Sequence, residues 1–134
     1  MVSLGLADDE PDILTLLHTA LSKQGYPIVY MARDGEETVE LNRRTPADIL
    51  IIDHIMPYKS GIDAAREVVE EYPQTHIFLM TCGEEVDDMV TGLKDLTILK
   101  KPFMLKNLVA LVGEYNGKSA SFVNCIDGSS HAQE

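Results

Sequence analysis

The segment ILIIDHIMP, residues 49–57, decides the fold, because four consecutive aliphatic residues end abruptly at a carboxylate. The run is too short to cross a membrane, and it lacks the alternation of a strand with one face in water. It therefore predicts a strand that is buried on both faces, as in a parallel sheet covered by helices on both sides. Asp53 then lies where this strand leaves the core.

Segments of the same kind recur along the chain and alternate with amphipathic segments. The predicted strands are 4–7, 27–31, 47–53, 76–81 and 96–100. The first predicted helix begins at Pro11 and ends before Gly25, and the others cover 33–44, 62–72, 84–93 and 104–115. Strands that alternate with helices are parallel, and right-handed crossovers put helices on both faces. The sequence predicts a doubly wound α/β domain.

The chain of 134 residues is long enough for one domain that folds without disulfide bonds. We predict that this domain covers residues 1–116 and that residues 117–134, which are rich in small polar side chains, form a polar tail, although FVNCI at 122–126 could also pack against the domain. The two cysteines, Cys82 and Cys125, are too few for a zinc site or a secreted scaffold and favour a reducing cytoplasm. The first residues resemble neither a leader nor a membrane segment, so we expect a cytoplasmic protein without membrane attachment.

The charge of the chain argues against a nucleic-acid partner. The sequence has 22 acidic and 11 basic residues, a net charge of −11, which repels nucleic acid and anionic membranes. The four histidines lie on separate predicted elements, so no pair has the spacing of zinc ligands. His54, in the loop after Asp53, is expected to face solvent.

Polar residues stand at the ends of the predicted strands, where ligands bind in an open parallel sheet. These residues are Asp8, Asp9, Asp53, Thr81 and Lys101. If the first and third strands are neighbours, three carboxylates converge and need a cation. Oxygen ligands suit Mg²⁺ and leave room for phosphoryl oxygens. Asp53 is then the best-placed nucleophile for phosphoryl transfer, with Lys101 and Thr81 available to the phosphoryl oxygens.

Four motifs at these strand ends resemble the receiver domain of two-component response regulators, over about residues 2–115. The motifs are ADDE at 7–10, DHIMPYKSG at 53–61, MT at 80–81 and KPF at 101–103. The resemblance implies a flavodoxin-like, five-stranded parallel sheet in the order 2-1-3-4-5. It also implies a signalling domain that catalyses only its own phosphotransfer and dephosphorylation.

The resemblance assigns a role to each residue of the site. Asp53 would accept a phosphoryl group from a histidine of a sensor kinase or a histidine phosphotransfer protein. Mg²⁺, or Mn²⁺, would be held directly by Asp9 and Asp53, through water by Asp8, and by the backbone carbonyl of Ile55. Lys101 would pair with Asp53 or its phosphate. Thr81 would contact the phosphate, and the Lys101–Pro102 bond would be cis.

The sequence departs from the family at positions that control signalling. Ile98, three residues before Lys101, stands where the family usually has an aromatic residue that switches together with the threonine. Cys82 replaces a small residue after Thr81. Ile55 occupies one of the two positions that tune hydrolysis, and its side chain cannot orient a water molecule, so we expect slow self-dephosphorylation.

The resemblance also implies partners and leaves alternatives open. A downstream protein would dock on the face formed by predicted helices 84–93 and 104–115 with strand 96–100, and a homodimer is a further option. The alternatives are a phosphorylation-independent interaction module and the receiver segment of a hybrid sensor kinase. A phosphohydrolase of the haloacid dehalogenase type would carry a second aspartate where this chain has Ile55. A flavodoxin-like cofactor binder would bind phosphate where ADDE repels it.

Overall fold

The computed structural model describes residues 1–83, 86, 88–115 and 123–126, the last four through their backbone only. The described residues form six strands and four helices, which alternate except that the fifth strand follows the fourth without a described helix between them. The strands are β1 Leu4–Ala7, β2 Ile28–Ala32, β3 Ile49–Asp53, β4 His76–Thr81, β5 Leu96–Lys100 and β6 Val123–Ile126. The helices are α1 Pro11–Lys23, α2 Gly35–Arg44, α3 Gly61–Glu71 and α4 Leu105–Tyr115. All strand pairs are parallel, and the strand order is β2-β1-β3-β4-β5-β6.

The predicted fold is confirmed for the first five strands, which stand in the order 2-1-3-4-5 with helices on both faces. A sixth strand, β6, extends the sheet beside β5. This strand lies inside the segment that the sequence assigns to a polar tail. The remainder of that segment, 117–122 and 127–134, lies outside the described residues, and there the tail stays a prediction. The helices that the structure describes are each too short or too polar to cross a membrane.

Two apolar clusters, one on each face, hold the sheet between the helices. Leu50 and Ile52 belong to the cluster under α2 and α3, here called the α2/α3 cluster. Ile49 and Ile51 belong to the cluster under α1 and α4, the α1/α4 cluster. Burying each of these side chains contributes about 1.5–3 kcal/mol. The aliphatic run therefore forms a strand with two buried faces, as its composition predicts.

Side-chain caps determine where two of the helices begin. The side chain of Asp34 accepts a hydrogen bond of 2.8 Å from the backbone N–H of Glu37 at the start of α2. Ser60 Oγ accepts one of 3.1 Å from the N–H of Asp63 at the start of α3. Such caps satisfy N–H groups that the helix leaves unpaired. The second cap also ends the loop that begins at Asp53.

The predicted helix 84–93 is wrong for the residues that the structure describes there, 86 and 88–93, which form turns. The N–H groups of Met89 and Val90 both donate to the carbonyl of Val86, at 2.9 and 3.1 Å, and the next bond, from Leu93 to Val90, again spans three residues, so a single turn forms rather than a continuous α-helix. Gly92 then has a φ of 94°, a left-handed conformation that ends a helix. Few residues are left for a helix between Val86 and Gly92.

Arg66 on α3 gives a physical reason for the turns. Its guanidinium donates to the backbone carbonyl of Thr91 at 2.9 Å and also to that of Met89. In a helix over 84–93 the carbonyl of Met89 would accept a hydrogen bond from the N–H of Leu93, whereas that of Thr91 would lie in the last turn without such a partner. A charge-assisted hydrogen bond from a distant side chain replaces that local pairing. Sequence periodicity contains no information on this tertiary contact.

His76 is buried near the amino ends of β4 and β5, far along the strands from Asp53. Its Nε2 lies 2.9 Å from Thr97 Oγ1, and its ring centroid is 3.9 Å from that of Tyr115 and 5.0 Å from that of Phe78. Burial lowers the pKa of His76 from its usual 6.5 to about 4, against the opposing charge of Asp95. The ring is therefore neutral at neutral pH.

We expect His76→Gln to make the fold less sensitive to acid. The unfolded chain binds a proton at His76 near pH 6.5, whereas the folded chain binds it only near pH 4, so the wild type loses stability as the pH falls through this window. The expected loss is about 3 kcal/mol. Denaturant unfolding at pH 7 and at pH 4 measures it, with exposed His18→Gln as the control. An equal loss in wild type and His76→Gln would contradict the prediction.

Candidate functional site

Three carboxylates meet at the carboxyl end of the sheet. Strands β1 and β3 are neighbours with Ala7 beside Ile52, so the residues that follow, Asp8 and Asp53, come together. Each of Asp8, Asp9 and Asp53 offers a carboxylate oxygen, and these oxygens lie within 4.8 Å of one another. Asp8 is fully buried and Asp53 is 7% exposed, whereas Asp9 is open to solvent. Like charges this close favour a bound cation.

Lys101 lies at the same end of the sheet, directly after β5. Its Nζ is 3.0 Å from Asp53 Oδ1 and 3.5 Å from Asp8 Oδ2. Its backbone N–H donates to the carbonyl of Thr81 at 2.6 Å, and its bond to Pro102 is cis, as the resemblance implies. Lys100, by contrast, is exposed. A single ammonium group therefore serves both buried carboxylates.

Burial and like charge make the carboxylates of this site hard to ionise. Burial, followed by the charges of Asp8 and Asp9, raises the pKa of Asp53 from 3.8 to about 6, although Lys101 opposes the shift. Burial also raises the pKa of Asp8, against its hydrogen bond from the Glu10 N–H and the charge of Lys101. The site carries more negative charge than one lysine compensates.

For Lys101 the surroundings favour the charged form, whereas for the two carboxylates they favour the neutral form. Burial alone would lower the pKa of its ammonium group, but the hydrogen bond and the charge of Asp53 and the charge of Asp8 outweigh burial and raise it. The group therefore stays charged at neutral pH. A permanent cation in contact with a carboxylate nucleophile is the arrangement that stabilises an incoming phosphoryl group.

Thr81 contributes a hydroxyl group that lacks a partner. The residue ends β4, is 1% exposed, and its Oγ1 has no hydrogen-bond partner among the described residues. Leaving a buried hydroxyl unpaired costs about 1–3 kcal/mol. Together with the crowded carboxylates, this orphan donor fits a site that takes both a divalent cation and an anion with hydrogen-bond acceptors.

The loop after Asp53 turns back tightly to reach α3. The N–H of Gly61 donates to the carbonyl of His54 at 2.8 Å, and a Cβ on Gly61 would lie 2.0 Å from the carbonyl oxygen of Asp53. Only glycine allows this approach of two backbone segments. Halfway along the loop, Tyr58 has a φ of 71° and is 86% exposed. Ile55 is exposed as well, with its side chain directed away from the core.

His54 is buried, contrary to the expectation that it faces solvent. Only 7% of the residue is exposed, and its Nδ1 has no partner among the described residues. The backbone N–H of His54 donates to the backbone carbonyl of Met80 at 2.9 Å, so hydrogen bonding to β4 continues one residue past Asp53. The expectation fails because the sequence does not reveal how far this pairing extends.

Two of the residues that depart from the family pattern, Ile98 and Cys82, differ in their surroundings. Ile98 on β5 is buried within the α2/α3 cluster, together with Val86 and Leu93 from the turns that precede β5. Cys82 is exposed immediately after Thr81. An aliphatic side chain packed in this way has no hydroxyl or ring to exchange between a core and a solvent position.

Comparison with known proteins gives one family. The family model described as the response regulator receiver domain matches residues 4–113. Transcriptional regulatory protein TrcR of Mycobacterium tuberculosis is 35% identical over 107 residues, which cover 78% of this chain and 41% of that protein. The chain therefore spans less than half the length of this curated relative.

Solved structures show the same fold. The receiver domain of AraT, a response regulator from Geobacillus stearothermophilus, superimposes with a TM-score of 0.74 and 28% identity, covering 87% of this chain and 95% of that one. The chemotaxis protein CheY4 of Vibrio cholerae gives a TM-score of 0.76 with 24% identity, covering 85% of this chain and 98% of that one. At the latter identity the likeness concerns the fold alone.

Proposed function

Because this chain belongs to the response regulator receiver domain family, we propose that Asp53 accepts a phosphoryl group from a histidine of a partner protein in a Mg²⁺-dependent reaction. The contact of 3.0 Å between Lys101 Nζ and Asp53 Oδ1, beside the carboxylates of Asp8 and Asp9, is the observation that carries this proposal. The donor is a sensor kinase or a histidine phosphotransfer protein. The chain itself catalyses only its own phosphotransfer and dephosphorylation.

The transfer needs a nucleophile and charge compensation. A carboxylate oxygen of Asp53 attacks phosphorus, a P–O bond forms, and the P–N bond to the donor histidine breaks, with the electron pair remaining on the histidine nitrogen. The ammonium group of Lys101 and the otherwise unpaired hydroxyl of Thr81 donate hydrogen bonds to phosphoryl oxygens. The side chains of Lys101 and Thr81 are already positioned at this end of the sheet before the phosphoryl donor binds, so little reorganisation is needed.

The carboxylates also fit a metal ion. Asp8, Asp9 and Asp53, with the backbone carbonyl of Ile55, would hold Mg²⁺ or Mn²⁺, which prefer oxygen ligands. When bound, the cation neutralises charge on the phosphoryl oxygens. Asp8 is kept in position by the N–H of Glu10, which donates to its Oδ1 at 2.9 Å. Its orientation therefore does not depend on the metal.

A downstream partner would recognise the phosphorylated state at a surface near Lys101. We assign its docking face to the turns at 88–93, β5 and α4, rather than to two helices, because the first predicted helix of that face is wrong. We further propose that the exchange takes place in the cytoplasm, whose reducing conditions suit Cys82 and Cys125.

Buried Ile98 favours a second candidate, a receiver-like module that binds its partner without phosphorylation. With an aliphatic residue in the core, the signal cannot pass through an aromatic side chain at this position. A partner that binds equally well before and after phosphorylation would support this candidate.

Mass spectrometry of the intact chain tests the proposed function. With acetyl phosphate and Mg²⁺ we expect the mass of one added phosphoryl group, and with a chelator in place of the metal we expect none. Asp9→Asn, which removes an exposed carboxylate of the cluster, should need more Mg²⁺ for the same yield. Exposed Asp12→Asn on α1 is the matched control. Equal yields with metal and with chelator would refute the metal requirement.

Ile55→Asn is expected to shorten the lifetime of the phosphorylated chain several-fold. Ile55 is exposed in the loop beside Asp53, and an amide at this position can hydrogen-bond a water molecule, which the aliphatic side chain cannot do. The decay of the phosphorylated mass after removal of acetyl phosphate measures the lifetime. An unchanged decay rate would show that this side chain does not limit hydrolysis.

A further inference from the structure

Strand β6 covers the edge of β5 with residues from the chain's own carboxyl-terminal segment. The two strands pair in parallel over four positions, from Leu96 beside Val123 to Leu99 beside Ile126. β6 is the last strand in the sheet order, so β5 is its only strand neighbour among the described residues. The segment 116–122 connects it to α4.

Two hydrogen bonds show which residues of β5 direct their backbone N–H and C=O groups toward β4. Ile77 N–H donates to the carbonyl of Asp95 at 2.8 Å, and Lys101 N–H donates to that of Thr81 at 2.6 Å. Along a strand the backbone groups of successive residues point to opposite sides. Thr97 and Leu99, which lie between those two positions at the same spacing, therefore also face β4.

The intervening residues of β5 face β6 instead. By the same alternation these are Leu96, Ile98 and Lys100, of which Leu96 and Ile98 have register partners in β6. In a parallel pair, a residue bonds to the two residues that flank its register partner. Ile98 stands beside Cys125, so it bonds to Asn124 and Ile126, and the backbone groups of Cys125 point away from the sheet.

The dimensions of β6 make it a strand that can detach. It has four residues, pairs with β5 alone among the strands of the described residues, and is parallel, the less stable form of pairing. Elements with few stabilising contacts open locally at a small fraction of the free energy of global unfolding. Detachment would expose backbone donors and acceptors of β5, which is the surface that an extended peptide recognises by strand addition.

We propose that Val123–Ile126 is a releasable autoinhibitory strand, which denies the edge of β5 to an extended segment of a partner protein until it detaches. The edge leads directly to Lys101, one residue beyond β5. A partner that adds a strand there pairs with residues that directly precede Lys101, the residue in contact with Asp53. The inhibitory meaning of the contact rests on the proposed function, whereas the pairing and its release do not.

Amide hydrogen exchange followed by NMR on the full chain tests the pairing. In the wild type, we expect the Ile98 amide to be protected but to exchange at least about tenfold faster than that of Leu99, which faces β4. Asn124→Pro removes an N–H that faces β5 and should abolish the protection of Ile98 while leaving Leu99 unchanged. Cys125→Pro removes an N–H that faces away, and this matched control should behave as the wild type.

A peptide of residues 121–128 tests the blocked edge. At about ten times its Kd it should slow the exchange of Ile98 in Asn124→Pro about tenfold, and should leave the wild type unchanged. The proposal is overturned if Ile98 stays protected in Asn124→Pro, if Ile98 and Leu99 exchange together in the wild type, or if the peptide has the same effect on both chains. Should Asn124→Pro also expose Leu99, Ile126→Pro, which removes the other N–H facing β5, is subject to the same criteria. No phosphoryl donor is present, so failure of phosphorylation at Asp53 would leave these results unaffected.

Discussion

Asp53→Asn is expected to abolish phosphorylation by acetyl phosphate, so that the intact mass stays unchanged under conditions in which the wild type gains one phosphoryl group. An amide oxygen is a far weaker nucleophile than a carboxylate, and the other two carboxylates of the cluster are held at different positions. Asp63→Asn, an exposed aspartate in the first turn of α3, is the control and should be phosphorylated as the wild type.

The same variant should be more stable than the wild type, which separates loss of the acceptor from loss of the fold. Burial and the neighbouring charges raise the folded-state pKa of Asp53 to about 6, so its ionised form destabilises the folded state above that pH. Removing this charge should increase the free energy of unfolding at pH 7, by at most about 3 kcal/mol. The lost contact with Lys101 reduces the gain. A phosphorylated Asp53→Asn chain would show that another residue is the acceptor.

Gly61→Ala is expected to have the second largest effect, on stability and on phosphorylation together. The new Cβ would lie 2.0 Å from the carbonyl oxygen of Asp53, a backbone atom that cannot move aside as a flexible side chain can. We expect the free energy of unfolding to fall by about 3 kcal/mol. Relieving the clash displaces Asp53, and a displacement of about 1 Å can slow a reaction about a hundredfold.

Gly113→Ala provides the matched control for this substitution. Gly113 is exposed within α4, and its Cβ would come no closer than 3.6 Å to another group, Tyr26 Oη. The substitution should therefore raise the free energy of unfolding by up to about 1 kcal/mol, because alanine favours helices. Denaturant unfolding of both variants, with phosphorylation rates by mass spectrometry, gives the comparison. If Gly61→Ala matched Gly113→Ala in sign, the close backbone approach would be unimportant.

The sequence predicts the parts of the fold that depend on local pattern. The aliphatic run before Asp53 identifies a strand with two buried faces, and the alternation of strands and helices predicts a parallel sheet. Because parallel strands direct their carboxyl ends to one edge, polar residues from distant parts of the sequence are expected together. The structure brings the carboxylates of Asp8 and Asp9 beside Asp53, with Lys101 in contact.

Features that depend on tertiary contacts are not predictable in this way. The turns at 88–93 are stabilised by Arg66 from another element, and the burial of His54 follows from pairing that extends beyond Asp53. β6 lies in a segment whose composition resembles a tail, and its four residues are too few to show the alternation that would predict a strand. Each of these features depends on a contact with one other element of the fold, as β6 depends on its pairing with β5.

The sheet also acts as a partition between two independent interiors. The α2/α3 cluster includes Ile52, Met56 and Ile62 around the loop that follows Asp53, whereas the α1/α4 cluster includes Tyr115 at the end of α4. Substitutions in separate interiors have additive effects when they share no contacts. A substitution that packs only within the α1/α4 cluster should therefore have little effect on the loop that carries Asp53.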